Sequence, residues 1–138
     1  MKAFLLSGCL LLSTFVISQA QTAEAYFKQA KKLYKVQQKY LEAIARINKA
    51  IALDSSQAKY YFHRAIFQDK LGNSNQFLED MHRALALSPK NDWYYQNRAV
   101  AYTQCKKYSL ALKDINQAIQ LDSQYYLYHI LKGDIYSE

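Results

Sequence analysis

A repeat of 34 residues constrains this chain more than any other feature of its sequence: segments beginning at Glu24, Ala58, Asp92 and Tyr126 align without a gap. Counted within each segment, position 27 reads Ala50, Ala84 and Ala118, position 24 reads Ile47, Met81 and Ile115, and position 30 reads Leu53, Leu87 and Leu121. Position 4 is aromatic as Phe27, Tyr61 and Tyr95, and then becomes His129. Three full units and one half unit result. A unit this short cannot bury its own apolar face, so sister units must stack into an elongated array with a shared core.

Within each unit, apolar residues recur three and four apart in two stretches separated by a polar turn, which predicts two antiparallel helices per unit. Three Gly and one Pro in 138 residues are too few turn formers for a many-stranded β-sandwich. Thirteen Tyr, six Phe and one Trp supply more aromatic surface than a disordered chain carries, so a packed core is expected. The turns are also legible. Leu71-Gly72-Asn73-Ser74 offers a glycine for a left-handed helix end and then an N-cap, and Pro89 stands where a helix has stopped. Asp54-Ser55-Ser56 and Asp122-Ser123 supply side-chain oxygens for free backbone N–H groups.

These residues resemble the tetratricopeptide-repeat family, whose pattern has an aromatic at position 4, small residues at 8, 20 and 27, an aromatic at 11 or 17, and often Pro at 32. Tyr61, Ala65, Ala84 and Pro89 fit in the second unit; Tyr95, Ala99, Tyr102, Tyr108, Ala111 and Ala118 fit in the third. The resemblance runs from Glu24 to Glu138. It implies an all-α, right-handed solenoid of helix-turn-helix repeats at 24–57, 58–91 and 92–125, followed by one extra helix at 126–138. Small residues at the helix crossings let two helices approach to about 8–10 Å. Departures from the pattern are Lys31 at position 8, Arg64 and Arg98 at position 7, and Ser55 and Ser123 at position 32. Lys31 reads as an adaptation of a terminal repeat to water. In the second unit Phe77 replaces a small residue at position 20 while Ser74 replaces tyrosine at 17, so the Phe77 ring is expected inside, in the volume tyrosine takes elsewhere.

The resemblance further implies that the first helix of each unit lines a concave groove that holds an extended peptide or a partner helix. The residues at the groove-facing positions include Lys28, Lys32, Lys35, Lys59, Phe62, His63, Ile66, Lys70, Trp93, Gln96, Asn97 and Val100. A groove both basic and aromatic suits an acidic or aromatic-containing peptide, with lysines attracting charge and Phe62 and Trp93 anchoring. The plainer alternative is a solvated lysine face with Trp93 packed at its rim. One subfamily grips acidic chaperone tails through a two-carboxylate clamp of Lys, Asn, Asn, Lys and Arg. Here only Lys28 fits, since Lys32, His63, Trp93 and Asn97 stand at the other four places, so the clamp is not assigned. Leu127, Ile130, Leu131 and Ile135 on the unpaired last helix are expected to leave an apolar edge open to another protein or to a second copy.

Other function classes find less support. His63, His82 and His129 fall in different helices without the i, i+4 pair that places two metal ligands on one face. Neither a glycine-rich phosphate loop nor a G-x-S-x-G elbow occurs, so no catalysis, metal, cofactor or small-molecule substrate is expected. The formal charge of +7 with many tyrosines keeps a single-stranded nucleic-acid binder as the alternative, although most tyrosines recur at packing positions. Lys2, the apolar run Ala3 to Ile17 and Ser18-Gln19-Ala20 have the form of a signal peptide. Cleavage near Ala20 would make an exported protein, periplasmic or extracellular, with an uncleaved membrane anchor or lipidation at Cys9 as alternatives. Cys105 would then be the one remaining cysteine, and stability must come from packing.

Overall fold

The computed structural model describes residues 22–137; the leader-like segment at 1–20, with Cys9 and the cleavage position, lies outside the described residues. Among the described residues seven helices follow one another: α1 (Ala23–Gln37), α2 (Tyr40–Leu53), α3 (Ala58–Asp69), α4 (Ser74–Leu87), α5 (Asp92–Gln104), α6 (Tyr108–Leu121) and α7 (Tyr126–Ser137). The second helices begin at Tyr40, Ser74 and Tyr108, 34 residues apart, and α3, α5 and α7 begin at the same interval. Helices pair as α1 with α2, α3 with α4 and α5 with α6, and each pair leans on the first helix of the next. Among the described residues no helix is long and apolar enough to cross a membrane.

Local chemistry sets the helix ends. Thr22 caps α1 by accepting from the Ala25 N–H at 3.1 Å, and Asn91 caps α5 by accepting from Tyr94 at 3.1 Å. Gly72 takes φ 75° in the α3–α4 turn, the left-handed conformation its sequence context predicts. Gln38 and Lys106 enter the same region in the other two hairpin turns without being glycine. Asp54 Oδ1 accepts from the Ser56 N–H at 3.0 Å and Asp122 Oδ1 from Gln124 at 3.0 Å, as the turn sequences suggested. Asn73 differs: its side chain makes no cap bond and instead donates to Gln68 Oε1 at 2.7 Å.

The core forms three linked clusters, each built from one helix pair and the next first helix. In the first, Phe27, Ala30, Ala43, Ile47 and Ala50 meet Tyr60 and Phe67; in the third, Ala99, Tyr102, Ala111, Ile115 and Ala118 meet Tyr128 and Ile135. Ala50, Ala84 and Ala118 are all 0% exposed, as crossing residues should be. Phe77 is 5% exposed and packs with Met81 and Ala84, so the exchange of large and small residues in the second unit does turn the ring inward. Lys31 is half-buried, with its ammonium 4.6 Å from the centre of the Phe27 ring. The neighbouring Ala30 becomes the buried small residue of α1.

Two polar devices recur that the family pattern does not announce. Arg64 donates from Nε and Nη2 to both carboxylate oxygens of Asp80, at 2.8 and 2.6 Å, and Arg98 does the same to Asp114, at 2.7 and 2.8 Å. Each is a bidentate pin between the two helices of a pair, and both carboxylates are buried. The first pair has Ala30 and Arg46 at the equivalent places. In the second device, a position-4 side chain bonds the carbonyl of the preceding turn: Tyr61 Oη donates to Ser55 O and Tyr95 Oη to Pro89 O, both at 3.2 Å, while His129 Nε2 lies 3.4 Å from Ser123 O.

Replacing Arg98 by Met strands Asp114 as a buried charge and should cost about 3–5 kcal/mol in urea unfolding, whereas the double change R98M/D114L should recover most of that loss.

Candidate partner-binding groove

The first helices stand side by side as ribs, joined by their own ring contacts. Phe27 of α1 meets Tyr60 and His63 of α3 at 5.1 and 4.8 Å between ring centroids, and Tyr34 stacks on Phe67 at 4.7 Å. Phe62 of α3 stacks on Tyr94 of α5 at 4.6 Å. Tyr128 of α7 donates its hydroxyl to Asp92 of α5 at 2.5 Å. That hydroxyl is buried and bonded to a carboxylate, both of which hold its pKa well above the usual tyrosine value.

On the face presented by these ribs, the sequence-predicted residues divide into two groups. Lys28, Lys32 and Lys35 are exposed along α1, and among the described residues none of them has a salt-bridge partner. Trp93 and Val100 are exposed on α5, and Phe62, Ile66, Gln96 and Asn97 are half-buried. A small cleft of about 80 Å³ opens between α3 and α5, lined by Ile66, Asp69, Asn97, Val100 and Gln104 over Phe77 and Ala101. The Gln96 Oε1 atom is buried without a hydrogen-bond partner. A larger hollow of about 320 Å³ lies at the α1–α2 turn around Tyr40 and Leu41. Its rim carries a Lys39–Glu42 ion pair at 3.3 Å, a self-neutralised border with no free charge to recruit a ligand.

Three of the expected groove residues serve the fold as well as the surface. Lys59 pairs with Glu24 at 2.7 Å and lies over the Phe27 ring at 5.2 Å. Its hydrogen bond to Glu24 raises the lysine pKa and lowers that of the carboxyl, so the charge of Lys59 is already answered. Asn97 spends its amide on the Trp93 carbonyl, 2.7 Å away. His63 donates from Nδ1 to the Lys59 carbonyl at 2.8 Å and is walled by Phe27 and Phe62. Burial pushes its pKa below the ordinary 6.5, and the charges of Lys31, Lys35 and Lys59 push the same way.

At the C-terminal end the expected open edge needs correction. Ile135 is 3% exposed because it turns inward into the third core cluster with Tyr128, and Leu131 packs partly against the same cluster. Leu127 is half-buried, which leaves Ile130, 52% exposed, as the apolar member that faces outward. Tyr126 and Tyr136 of the same helix, missing from the sequence-based set, are also exposed. The three histidines lie on different helices, with His82 Nε2 2.9 Å from the Tyr102 hydroxyl. Among the described residues no group of three or more His, Cys, Asp or Glu side chains could hold a metal ion.

No family model and no curated protein sequence matches the chain. Its fold does match solved structures. The crystal structure of MamA superposes with a TM-score of 0.79 at 17% identity, over 91% of this chain and 72% of that one. The first TPR domain of Spaghetti (RPAP3), bound to the HSP90 peptide SRMEEVD, gives 0.78 at 24% identity over 86% of this chain and 94% of its own. The second TPR domain of human RPAP3, in complex with the HSP70 peptide SGPTIEEVD, gives 0.76 at 21% identity over 84% and 96%. The chain has the tetratricopeptide-repeat fold. Within that fold, the half-buried His63 makes one property of the groove measurable.

The unfolded chain binds a proton at His63 more readily than the folded one, so this residue contributes stability above its ordinary pKa of 6.5 and loses it as pH falls through the lowered folded value. His63→Gln should therefore show a shallower loss of unfolding free energy below about pH 6.5 than the parent chain, read from urea titrations at a series of pH values.

Proposed function

We propose that this chain is a non-catalytic protein–protein interaction module, which receives an acidic peptide or partner segment on the face formed by α1, α3 and α5. The observation that carries the reading is the row of exposed lysines Lys28, Lys32 and Lys35 on α1, none with a carboxylate partner among the described residues. An anion arriving there meets unspent positive charge, which speeds encounter and selects against basic partners. Two solved domains of the same fold hold the acidic peptides SRMEEVD and SGPTIEEVD, which supports an acidic ligand for this one too. The binding mode must differ from a two-carboxylate clamp, because Lys32, His63, Trp93 and Asn97 do not supply that donor set. A signal-peptide-like segment over residues 1–20 supports an exported setting for the interaction.

The test is a titration of a labelled acidic peptide by fluorescence anisotropy at low and high salt. Binding should weaken with salt and fall by about tenfold in the variant Lys28→Ala/Lys32→Ala/Lys35→Ala. An unchanged affinity in that variant, or tighter binding of a single-stranded oligonucleotide than of any acidic peptide, would count against the proposal. The buried positions of Tyr60, Tyr61, Tyr94, Tyr102 and Tyr128 take five of the thirteen tyrosines out of reach of an oligonucleotide.

A further inference from the structure

The groove is not uniform along its length. Position 5 reads Lys28, Phe62, Gln96 and Ile130 across successive ribs, and position 9 reads Lys32, Ile66, Val100 and Asp134. Free positive charge is therefore concentrated on α1, with the exposed Lys70 at the C-terminal cap of α3 as the next lysine of the groove set, since Lys59 on α3 is held by Glu24 at 2.7 Å. The far end is apolar: Trp93 is 47%, Val100 37% and Ile130 52% exposed. The exposed Asp134 on α7 sets a negative charge there, and the nearby Asp92 carboxylate is occupied by the Tyr128 hydroxyl. Acidic groups are thus favoured at one end and disfavoured at the other.

Resting on the interaction reading above, we infer that the ligand is a two-part segment, with acidic side chains on the α1 lysines and an apolar or aromatic block on Trp93, Val100 and Ile130. From α1 to α5 is two helix spacings, about 16–20 Å. An extended chain covers that distance in about five or six residues. A ligand with acidic groups alone satisfies only the first rib and leaves the apolar end wet.

Trp93 is the one tryptophan of the sequence and reports directly on the apolar end. Four tryptophan-free peptides would be titrated on the full chain: an acidic block, a Phe/Leu block, the two joined by about six Gly/Ser residues, and the two joined by one residue. The long-linked peptide should bind at least about tenfold tighter than the acidic block and shift Trp93 emission to the blue. The short-linked peptide should show neither effect. The variant Val100→Ser/Ile130→Ser alters two exposed side chains, and circular dichroism would check that its helices are retained. It should bind the long-linked peptide no better than the acidic block. Salt-sensitive binding of the acidic block that gains nothing from the apolar block, with Trp93 emission unmoved, overturns the two-part ligand and leaves the acidic-partner reading standing. Absence of binding by every peptide overturns the acidic-partner reading itself.

Discussion

Close approach of helices at alanine crossings is the constraint on which this structure depends. Ala50, Ala84 and Ala118 are fully buried in α2, α4 and α6, and a larger side chain at such a crossing costs about 1–3 kcal/mol through overpacking. With the second helix so near, the aromatic residues of the first helix pack within their own pair and also reach sideways to the neighbouring one. The contacts of Phe27 with Tyr60, Tyr34 with Phe67 and Phe62 with Tyr94 follow. The ribs of the groove are therefore spaced by residues that never touch the groove.

Polar chemistry then fixes what packing leaves loose. Buried guanidinium–carboxylate pairs are a weak source of net stability but impose geometry, since only one register of the helices lets both oxygens meet both nitrogens. Arg64–Asp80 and Arg98–Asp114 impose that register in the second and third pairs. The first pair lacks it and relies on its apolar cluster, with Arg46 standing where the others have aspartate. This difference between the first pair and its sisters coincides with the basic rib, where Lys28 and Lys32 take the places that Phe62 and Ile66 hold on the next rib.

Much of the architecture was legible in the sequence because packing repeats leave periodic traces. Alanines at position 27, Gly72 in a hairpin turn and the traded sizes of Phe77 and Ser74 all mark where helices begin, end and cross. The groove was only partly legible. Its rib positions could be numbered, but numbering does not reveal that Lys59 is neutralised by Glu24, 35 residues away, or that Asn97 bonds its own helix. Ile135 was misplaced for a related reason: an unpaired helix still has an inner face, and the spacing of apolar residues alone did not say which of four would take it. The arginine–aspartate pins were visible as residues, 16 apart in two units, yet the arginines read as departures from the family pattern because their partners lay in the other helix.

The side chains at position 4 set a cadence. Tyr61, Tyr95 and His129 each tie a rib to the turn before it, while the ring contacts of Phe27 with Tyr60 and Phe62 with Tyr94 hold neighbouring ribs side by side, one helix width, about 8–10 Å, apart. A stretched polypeptide advances by that width in about three residues. Any strand lying across the ribs is consequently sampled once every third side chain, and the residues in between are free to vary without the scaffold noticing.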